Sequence, residues 1–517
     1  MDNEGLGSWL ERRLVMSPKK EAVVFDGSSR SYETLAIETR KIAHGLRALG
    51  VERGGCVGYF GFNDPAALEI MFAAGLLGAT YLPLNARLTA EEASYILRDA
   101  QCTAVVFGNE QADTARTLSL MDVPVEHWLS LEHDVTWCDS YTDQYSAQPD
   151  SPIDVPVGLD DLCVLMYSSG TTGTPKGVML THGSMMWNAL NQLLSQDMTS
   201  QERVLSVAPL FHIGGLGGAV TPTLLLGGTV VMLKKFDADT VLATIESQRI
   251  TNFFAVPTML QQLLQHPRFA DADLSSLRAV SAAGAPLPLS LIAPFLDRGV
   301  VITQAYGLTE AAPSVSLLSS ADVYTKLGSA GKRNFFTDVA VVRPDGSPTS
   351  SHEIGEVVAK GPNVMRGYLN LPEATNRTIV DGWLHTGDAG YFDDDGFLFI
   401  QDRYKDMYIS GGENVYPAEV EAALLEFDEI EEAAVIGVPH DKWGETGMAF
   451  VVSTQGRTVD SDTVKSQLRV RLAAFKIPAH IRIIDALPHT ATGKIRKTEL
   501  RKIAGSPSLP LGTAGLQ

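Results

Sequence analysis

A loop rich in hydroxyl side chains and glycine directly follows one of the most apolar stretches of the chain. Residues 162–167 are LCVLMY and predict a buried strand, and residues 168–177 continue as SSGTTGTPKG. Glycine lets backbone N–H groups turn toward an anion, Ser and Thr add donors, and Lys176 adds a mobile positive charge. The chain is therefore expected to contain a buried sheet with a triphosphate-binding loop at the end of one strand.

The spacing of this loop differs from the Walker A motif, where Gly-Lys-Ser/Thr follows four spacer residues. Here Pro175 precedes Lys176 and Gly177 follows it. A flexible linker has a similar Ser/Thr/Gly composition. The ordered Pro-Lys-Gly end beside a predicted strand favours phosphate binding over a linker.

Composition excludes several other classes of protein. The 517 residues allow two or more domains, and the formal net charge of −20 argues against a nucleic-acid partner, which would require Lys and Arg to neutralise phosphates. The four cysteines are far apart and predict neither a zinc site nor a disulfide framework. With no signal-like apolar run at the start, we expect a cytoplasmic protein.

One charge-free segment, residues 213–233, is long enough on paper to span a bilayer. It contains Gly214, Gly215, Gly217, Gly218, Pro222, Gly227 and Gly228. Such a composition favours a buried helix followed by a short core strand at residues 229–233. No integral membrane span is expected.

Alternating strand-like and helical patterns predict an α/β fold. Up to about Thr258, runs such as 105–107 alternate with amphipathic stretches such as 35–49, and the acidic residues 132–161 predict a surface excursion. After residues 402–406 the pattern changes to short units, namely helix 417–427, strands 433–438 and 448–452, helix 462–472 and strand 481–484. We therefore expect a large N-terminal domain with parallel sheets, residues 1–403, and a smaller mobile C-terminal α+β domain, residues 404–517, with the boundary near Lys405.

A second candidate motif is QAYGLTE at residues 304–310, after the strand-like residues 300–302. Ligands of open α/β sheets gather at such strand ends. Tyr306 could stack on a purine, Thr309 could bond a phosphate and Glu310 could hold Mg²⁺. A helix beginning near Thr309 is the structural alternative.

Three further segments carry weaker signals. Residues 282–286, AAGAP, could lay backbone along the same base, or form only a turn. Asp388 ends the sequence HTGD and could accept from both ribose hydroxyls, although a simple turn has the same composition. Lys494 lies in a Thr-Gly-Lys loop and could be a functional lysine, although it could also simply begin a solvated basic stretch, residues 494–502.

In this order, the motifs resemble the adenylate-forming superfamily, which includes acyl- and aryl-CoA synthetases, nonribosomal adenylation domains and firefly-type luciferases. The resemblance runs from about Pro18 to Arg501, and the SSGTTGTPKG loop matches without a gap. It implies that ATP, Mg²⁺ and coenzyme A are the cofactors and that a small carboxylic acid is the partner substrate; a homodimer stays open. The implied catalytic residues are Lys494, Thr309, Glu310 and His212, with Glu310 as the metal ligand.

The resemblance also implies a role for each binding residue. Lys494 would bridge the carboxylate and the α-phosphate, Lys405 would be the hinge of the small domain, and Thr309 would contact the α-phosphate. The implied phosphate-loop residues are Ser168, Ser169, Gly170, Thr171, Thr172, Gly173 and Lys176. The implied nucleoside-binding residues are Gly284, Ala285, Pro286, Gln304, Tyr306, Asp388 and Arg403. The implied coenzyme A residues are Gly411, Gly412, Trp443 and Phe475, the last two by looser matches.

The segment around His212 resembles the one that lines the acyl pocket. Amino-acid-activating relatives have Asp at this position, which argues against an α-amino acid here, although a core histidine is also consistent. The glycines after His212 predict a roomy apolar pocket, and Ala305 narrows it locally. We expect an ATP-dependent ligase that adenylates an apolar acid such as a fatty acid, releases pyrophosphate, and transfers the acyl group to coenzyme A with release of AMP. An aryl-CoA ligase of the hydroxycinnamate type and an enzyme that loads another acceptor are the alternatives.

Overall fold

The computed structural model divides the chain into two compact units. The described residues are 2–133, 135–168, 175–284, 287, 289–403, 406–410, 413–440, 443–472, 474–489 and 495–505. The first unit contains Met1–Ala340, Val358–Thr386 and Gly396–Leu398, and the second contains Val341–Val357, Gly387–Asp395 and Phe399–Gln517. No helix in these described ranges has the length and apolar character needed to cross a membrane.

The largest sheet of the first unit has nine strands. Their spatial order is Lys332–Arg333, Ser314–Leu317, Ile302–Gly307, Ala279–Ala282, Asn252–Ala255, Arg203–Ser206, Thr229–Met232, Glu21–Phe25 and Ser28–Ser31. The strands from Ile302–Gly307 to Glu21–Phe25 in this order run parallel to one another. Thr229–Met232 is fully buried, so the expected core strand in the charge-free segment is confirmed.

A second sheet of the first unit has eight strands. Their order is Gly367–Tyr368, Lys176–Thr181, Leu162–Ser168, Thr80–Leu84, Cys56–Phe60, Ala104–Phe107, His127–Ser130 and Asp139–Ser140. Leu162–Ser168 pairs antiparallel with Lys176–Thr181, and the connection between these two strands is the predicted phosphate loop. The predicted buried strand before that loop is confirmed.

Helices cover the two sheets of the first unit. They are Gly7–Met16, Tyr32–Ala48, Pro65–Leu77, Ala90–Asp99, Ala112–Ser119, Tyr141–Ser146, His182–Ser195, Ile213–Gly215, the π-helix Leu216–Val220, Thr221–Leu226, Ala238–Gln248, Pro257–Gln265, Leu289–Asp297 and Pro372–Thr378, with 3-10 turns at Asn109–Gln111, Pro267–Ala270 and Thr309–Ala311. Tyr32–Ala48 confirms the predicted amphipathic helix. Residues 132–161 are not wholly a surface excursion, because the helix Tyr141–Ser146 buries Tyr141 in the core.

A third sheet has five strands, of which Leu398–Arg403 pairs with Trp383–Phe392. The other three strands are Asp338–Val342, Gly355–Lys360 and Ile379–Val380.

The second unit contains a compact α+β core. Its sheet comprises Glu413–Val415, Tyr408–Ser410, Gly444–Ser453, Ile430–His440 and His480–Ile483, and its helices are Pro417–Leu424, Ser461–Arg471 and Lys497–Gly505, with a 3-10 turn at Ala474–Lys476. Pro417 occupies the first turn of its helix, where its missing N–H has no partner to lose. The predicted alternation of helices and strands in this region is confirmed.

Candidate active site

The nine-stranded sheet changes direction of winding between two neighbouring strands. The chain passes from Arg203–Ser206 to Thr229–Met232 on one side, and from Asn252–Ala255 to Ala279–Ala282 on the other. The crevice at the carboxyl ends of Arg203–Ser206 and Asn252–Ala255 is therefore a topological switch point, where ligands of open α/β sheets bind.

Predicted site residues lie along this edge. His212 follows the strand Arg203–Ser206, and its half-buried ring lies 4.7 Å from the Phe211 ring at an interplanar angle of 67°. Gly284 follows Ala279–Ala282 with φ +95°, and a Cβ atom there would lie 3.5 Å from Val256 Cγ1. Gln304 is in register with Ala282 on the neighbouring strand.

The glycines after His212 do not leave empty volume. The expectation that they create a roomy pocket is therefore wrong. A Cβ atom at Gly214 would lie 2.8 Å from Cζ of Phe254, and one at Gly218 would lie 3.4 Å from Cδ2 of the same ring. At Gly215 it would overlap the carbonyl oxygen of Pro209. At Gly217 it would lie 2.8 Å from the carbonyl oxygen of Ala312. These glycines permit close packing around the Phe254 ring and two backbone segments.

The Tyr306–Glu310 segment is a hairpin end. The strand Ile302–Gly307 extends through Gln304 and Tyr306, beyond the predicted end, because it pairs antiparallel with Ser314–Leu317. A Cβ atom at Gly307 would overlap the Pro313 carbonyl oxygen, which instead accepts from Leu308 N–H at 2.9 Å. Thr309 and Glu310 then form a single 3-10 turn, Thr309–Ala311, and not the start of a longer helix.

Buried amides fix the backbone that follows Glu310. Asn363 Nδ2 donates to the carbonyl oxygens of Ala311 at 2.8 Å and Ser314 at 3.0 Å, and Asn363 Oδ1 accepts from Thr337 Oγ1 at 2.7 Å. Asn188 Nδ2 donates to Gly217 O at 2.8 Å, while its Oδ1 accepts from Ser314 N–H at 3.2 Å. Leaving such buried groups unpaired would be costly, so this network holds the Glu310 turn in one conformation.

The base of the phosphate loop is also anchored. Ser168 and Lys176 face each other across the antiparallel pair, and the loop residues Ser169, Gly170, Thr171, Thr172 and Gly173 between them lie outside the described residues. Tyr167 donates from its hydroxyl to Asp99 Oδ2 at 2.6 Å. Burial raises the pKa of Tyr167, so the hydroxyl keeps its proton and remains a donor.

A tyrosine that the sequence reasoning missed joins the two sheets. Tyr368 donates from its hydroxyl to Glu310 Oε1 at 2.9 Å, and Lys176 Nζ lies 4.8 Å from the centroid of its ring. Met365 N–H donates to the Glu310 carbonyl oxygen at 2.8 Å. The predicted metal ligand and the predicted phosphate-loop lysine therefore contact the same side chain.

Other predicted residues lie in the second unit. Asp388 is 6% exposed in the strand Trp383–Phe392, where the neighbouring Gly387 N–H donates to Glu356 Oε1 at 3.1 Å. Arg403 is the last residue of Leu398–Arg403. Trp443 is 46% exposed, whereas Phe475 packs against the core of this unit.

The remaining predictions fall on residues outside the described ranges. These residues are Ala285, Pro286, Lys405, Gly411, Gly412 and Lys494. Described residues bracket the Lys494 loop, because His489 and Ile495 form an antiparallel bridge and Arg496 N–H donates to Pro488 O at 2.7 Å. Lys497 Nζ lies 2.9 Å from Glu421 Oε1, which fixes the start of the following helix.

The family model described as AMP-binding enzyme matches residues 10–369, and the model of its C-terminal domain matches residues 419–494. The chain belongs to the AMP-binding enzyme family. This AMP-binding enzyme is 47% identical over 508 residues to a feruloyl-CoA synthase from an Amycolatopsis species, a match that covers 98% of this chain and 100% of the relative. It is 36% identical over 505 residues to the long-chain-fatty-acid–CoA ligase FadD13 of Mycobacterium tuberculosis, covering 96% and 98%.

Solved structures agree with this membership. The o-succinylbenzoate CoA synthetase of Bacillus subtilis, in complex with its acyl-adenylate intermediate, is 33% identical with a TM-score of 0.84, covering 96% of this chain and 98% of that one. The same synthetase in complex with ATP and magnesium is 32% identical with a TM-score of 0.86, covering 96% and 99%. The predicted superfamily and fold class are confirmed. The AMP-binding enzyme is an ATP-dependent acid–CoA ligase that acts through an acyl-adenylate.

Proposed function

We propose that the acid substrate of this ligase is an aromatic acid of the hydroxycinnamate type, such as ferulate. The observation that carries the proposal is the 47% identity, over 98% of this chain, with a feruloyl-CoA synthase. The fatty-acid alternative rests on a lower identity of 36%. Our expectation from the sequence favoured a fatty acid, and the aryl alternative now has the stronger support.

The switch-point crevice supports this choice of acid. The glycine run behind His212 supplies close packing against Phe254, so it no longer argues for a long aliphatic tail. Half-buried apolar side chains lie in and just after the strand Asn252–Ala255, among them Phe254, Val256 and Met259, and under this proposal they contact the flat ring of the acid. An aryl-propenoate combines such a ring with a short arm that ends in the carboxylate.

The adenylation step joins two anions, the acid carboxylate and the ATP α-phosphate. We propose that Lys494 bridges these two anions. Thr309, together with Ser168, Lys176 and the loop between Ser168 and Lys176, binds the phosphates. Tyr306 stacks on the adenine beside Gln304 and Gly284, and Asp388 and Arg403 bind the ribose. These roles follow the family resemblance and place donors where charge develops as pyrophosphate leaves.

Magnesium fits Glu310. A half-buried carboxylate that contacts the same tyrosine as the phosphate-loop lysine matches the way Mg²⁺ is bound, through one or two carboxylates and the substrate phosphates. When bound, the ion supplies further charge compensation between the carboxylate and the triphosphate.

The second half-reaction requires a different set of residues. We propose that the functional domains are residues 1–403 and 404–517, that Lys405 is their hinge, and that Gly411, Gly412, Trp443 and Phe475 lie along the coenzyme A path. The coenzyme A thiolate attacks the acyl-adenylate carbonyl, the new carbon–sulfur bond forms, and AMP leaves with the electrons of the broken anhydride bond. A hinged domain would serve two reactions at one site by exchanging their residues.

The test is an acid panel with ATP, Mg²⁺ and coenzyme A, read by AMP release and thioester formation. We expect kcat/KM for ferulate and 4-coumarate to exceed that for palmitate and hexanoate by about a hundredfold or more, consistent with a pocket shaped for the ring. The Lys494→Ala variant, assayed in the same way, measures the background of AMP release that does not come from adenylation of the acid. Palmitate as the best substrate would overturn the aromatic assignment and leave the ligase activity intact.

A further inference from the structure

We propose that Tyr368 is a positioning residue for the adenylation reaction, which holds the Glu310 carboxylate and the Lys176 ammonium in separate, fixed places. The proposal rests on the proposed roles of Glu310 with Mg²⁺ and of Lys176 with the ATP phosphates. It adds to them a residue that contacts both groups and lies outside the motifs that identified the site.

The Tyr368 side chain makes two contacts, one with each charged group. The Tyr368 hydroxyl donates to Glu310 Oε1 at 2.9 Å, and the Lys176 ammonium lies 4.8 Å from the ring centroid, within the range of a cation–π contact. Tyr368 itself is 8% exposed. The side chain therefore contacts a cation through its ring and an anion through its hydroxyl group.

Glu310 and Lys176 do not pair with each other. Within the described parts of the chain, which include both residues, no ion pair of 4.0 Å or less joins their side chains. Opposite charges at short range attract strongly where water is partly excluded. Tyr368 offers each group its own partner and so keeps both charges available to the nucleotide.

The backbone around Tyr368 is tied to both neighbours. Gly367 and Tyr368 form a two-residue strand that pairs with Met179 and Val178, on the strand that begins at Lys176. Leu369 N–H donates to Gly177 O at 2.8 Å. Met365, three residues before Tyr368, donates from N–H to the Glu310 carbonyl oxygen at 2.8 Å. The position of the ring is thus set by the same contacts that set its two partners.

The hydrogen bond also orients the carboxylate. Oε1 of Glu310 accepts from Tyr368, and in the described structure Oε2 of this residue has no hydrogen-bond partner. One carboxylate oxygen is therefore held by Tyr368, and under the proposal the other is the one that binds the metal ion. A carboxylate fixed in this way meets Mg²⁺ and ATP with little reorganisation.

Tyr368→Phe separates the hydroxyl from the ring, since it removes the bond to Glu310 and keeps the surface under Lys176. We expect the Mg²⁺ concentration for half-maximal ATP–pyrophosphate exchange to rise about tenfold, in line with the loss of a hydrogen bond to a charged group. The KM for the acid and the melting temperature should change little. Mn²⁺ binding in the presence of a non-hydrolysable ATP analogue, followed by electron paramagnetic resonance, should weaken by a similar factor.

Tyr368→Leu removes the ring as well. It should raise the KM for ATP at saturating Mg²⁺, which Tyr368→Phe leaves near the wild-type value. The matched control is Tyr324→Phe, because Tyr324 is 61% exposed and has no role in the proposed site. If Tyr368→Leu is unfolded by circular dichroism, the Mg²⁺ and Mn²⁺ titrations of Tyr368→Phe alone decide the proposal.

Glu310→Gln distinguishes failure of this inference from failure of the proposed site. A large Mg²⁺ shift in Glu310→Gln with none in Tyr368→Phe overturns the role of Tyr368 and keeps Glu310 as the metal ligand. No shift in Glu310→Gln overturns the metal assignment, and the inference with it. A Tyr368→Phe variant that loses kcat and melting temperature with an unchanged Mg²⁺ requirement would show a purely structural tyrosine.

Discussion

At Gly214 the absent side chain determines how closely the segment after His212 can pack against Phe254. In Gly214→Ala the new Cβ atom would lie 2.8 Å from Cζ and 2.9 Å from Cε1 of the ring, so the ring or the helix must move. We expect a loss of stability of about 1–3 kcal/mol, typical of overpacking. Chemical denaturation of the folded enzyme measures it.

Gly158→Ala is the matched control for this substitution, because a Cβ atom at Gly158 has nothing within 4 Å. Phe254→Leu combined with Gly214→Ala should recover part of the loss, since the smaller side chain leaves room for the methyl group. Equal stability of Gly214→Ala and Gly158→Ala would refute the packing explanation.

The packing of the glycines after His212 and the role of Tyr368 could not be inferred from the sequence. Four glycines near His212 suggest empty volume, but the direction of each missing Cβ, and what already fills it, depends on Phe254 and on backbone from elsewhere in the chain. Tyr368 lies 58 residues from Glu310 and carries no motif that points to it. By contrast, Tyr306, Thr309 and Glu310 could be proposed from their local pattern.

The helix Pro65–Leu77 is buried along its whole length and carries one carboxylate. Glu69 is 3% exposed, Arg30 Nε lies 3.4 Å from its Oε1, and the Tyr141 hydroxyl lies 3.4 Å from its Oε2. Burial raises the pKa of Glu69 to about 8, although the Arg30 charge opposes the shift. Arg30 is itself shared with Glu38 at 3.1 Å.

The raised pKa predicts a pH dependence of stability. Between the ordinary Glu pKa of 4.5 and about 8, the folded state keeps a proton that the unfolded state has lost, so stability falls as the pH rises through this window. The contribution is at most about 1.4 kcal/mol per pH unit. Glu69→Gln should therefore gain melting temperature over the wild type at pH 7.5 and gain less at pH 5.5.

Glu373→Gln is the control for this comparison, since the Glu373 side chain is 92% exposed. If the wild type and Glu69→Gln show the same change in melting temperature between the two pH values, Glu69 is ionised in the folded protein and the Arg30 ion pair dominates.

Elements were predictable where their pattern is local. Short apolar runs located strands such as Ala104–Phe107 and Thr229–Met232, and Pro417 marked a helix start. The order of strands in the nine-stranded sheet was not predictable from the sequence, because it depends on crossovers between residues far apart in the chain. The strand Ile302–Gly307 also extended past its expected end, since antiparallel pairing with Ser314–Leu317 supports residues whose own pattern suggests a loop.

For the whole molecule, the proposed hinge predicts that the two half-reactions fail separately. Lys405→Pro restricts φ at the hinge to about −65°. If that value suits the adenylating arrangement, acyl-adenylate should still form from acid and ATP while transfer to coenzyme A is lost. Rapid-quench assays of the two steps measure this.

Lys494→Ala is the opposite variant for the same assays. Adenylation should fall by about a hundredfold or more, as for loss of a transition-state charge partner, while thioester formation from supplied acyl-adenylate persists. Equal damage to both steps in Lys494→Ala, or loss of adenylation in a folded Lys405→Pro, would contradict the division of roles.

The switch-point crevice belongs to the nine-stranded sheet, whereas Lys176 begins a strand of the eight-stranded sheet. Under the proposed assignment, the surface that selects the acid and the loop that binds the triphosphate are therefore carried by separate parts of the framework. Contacts of Glu310 with Met365 and Tyr368 connect them. Because of this separation, related enzymes could come to accept different acids through substitutions in residues 207–259. The loop that binds the triphosphate would not have to change.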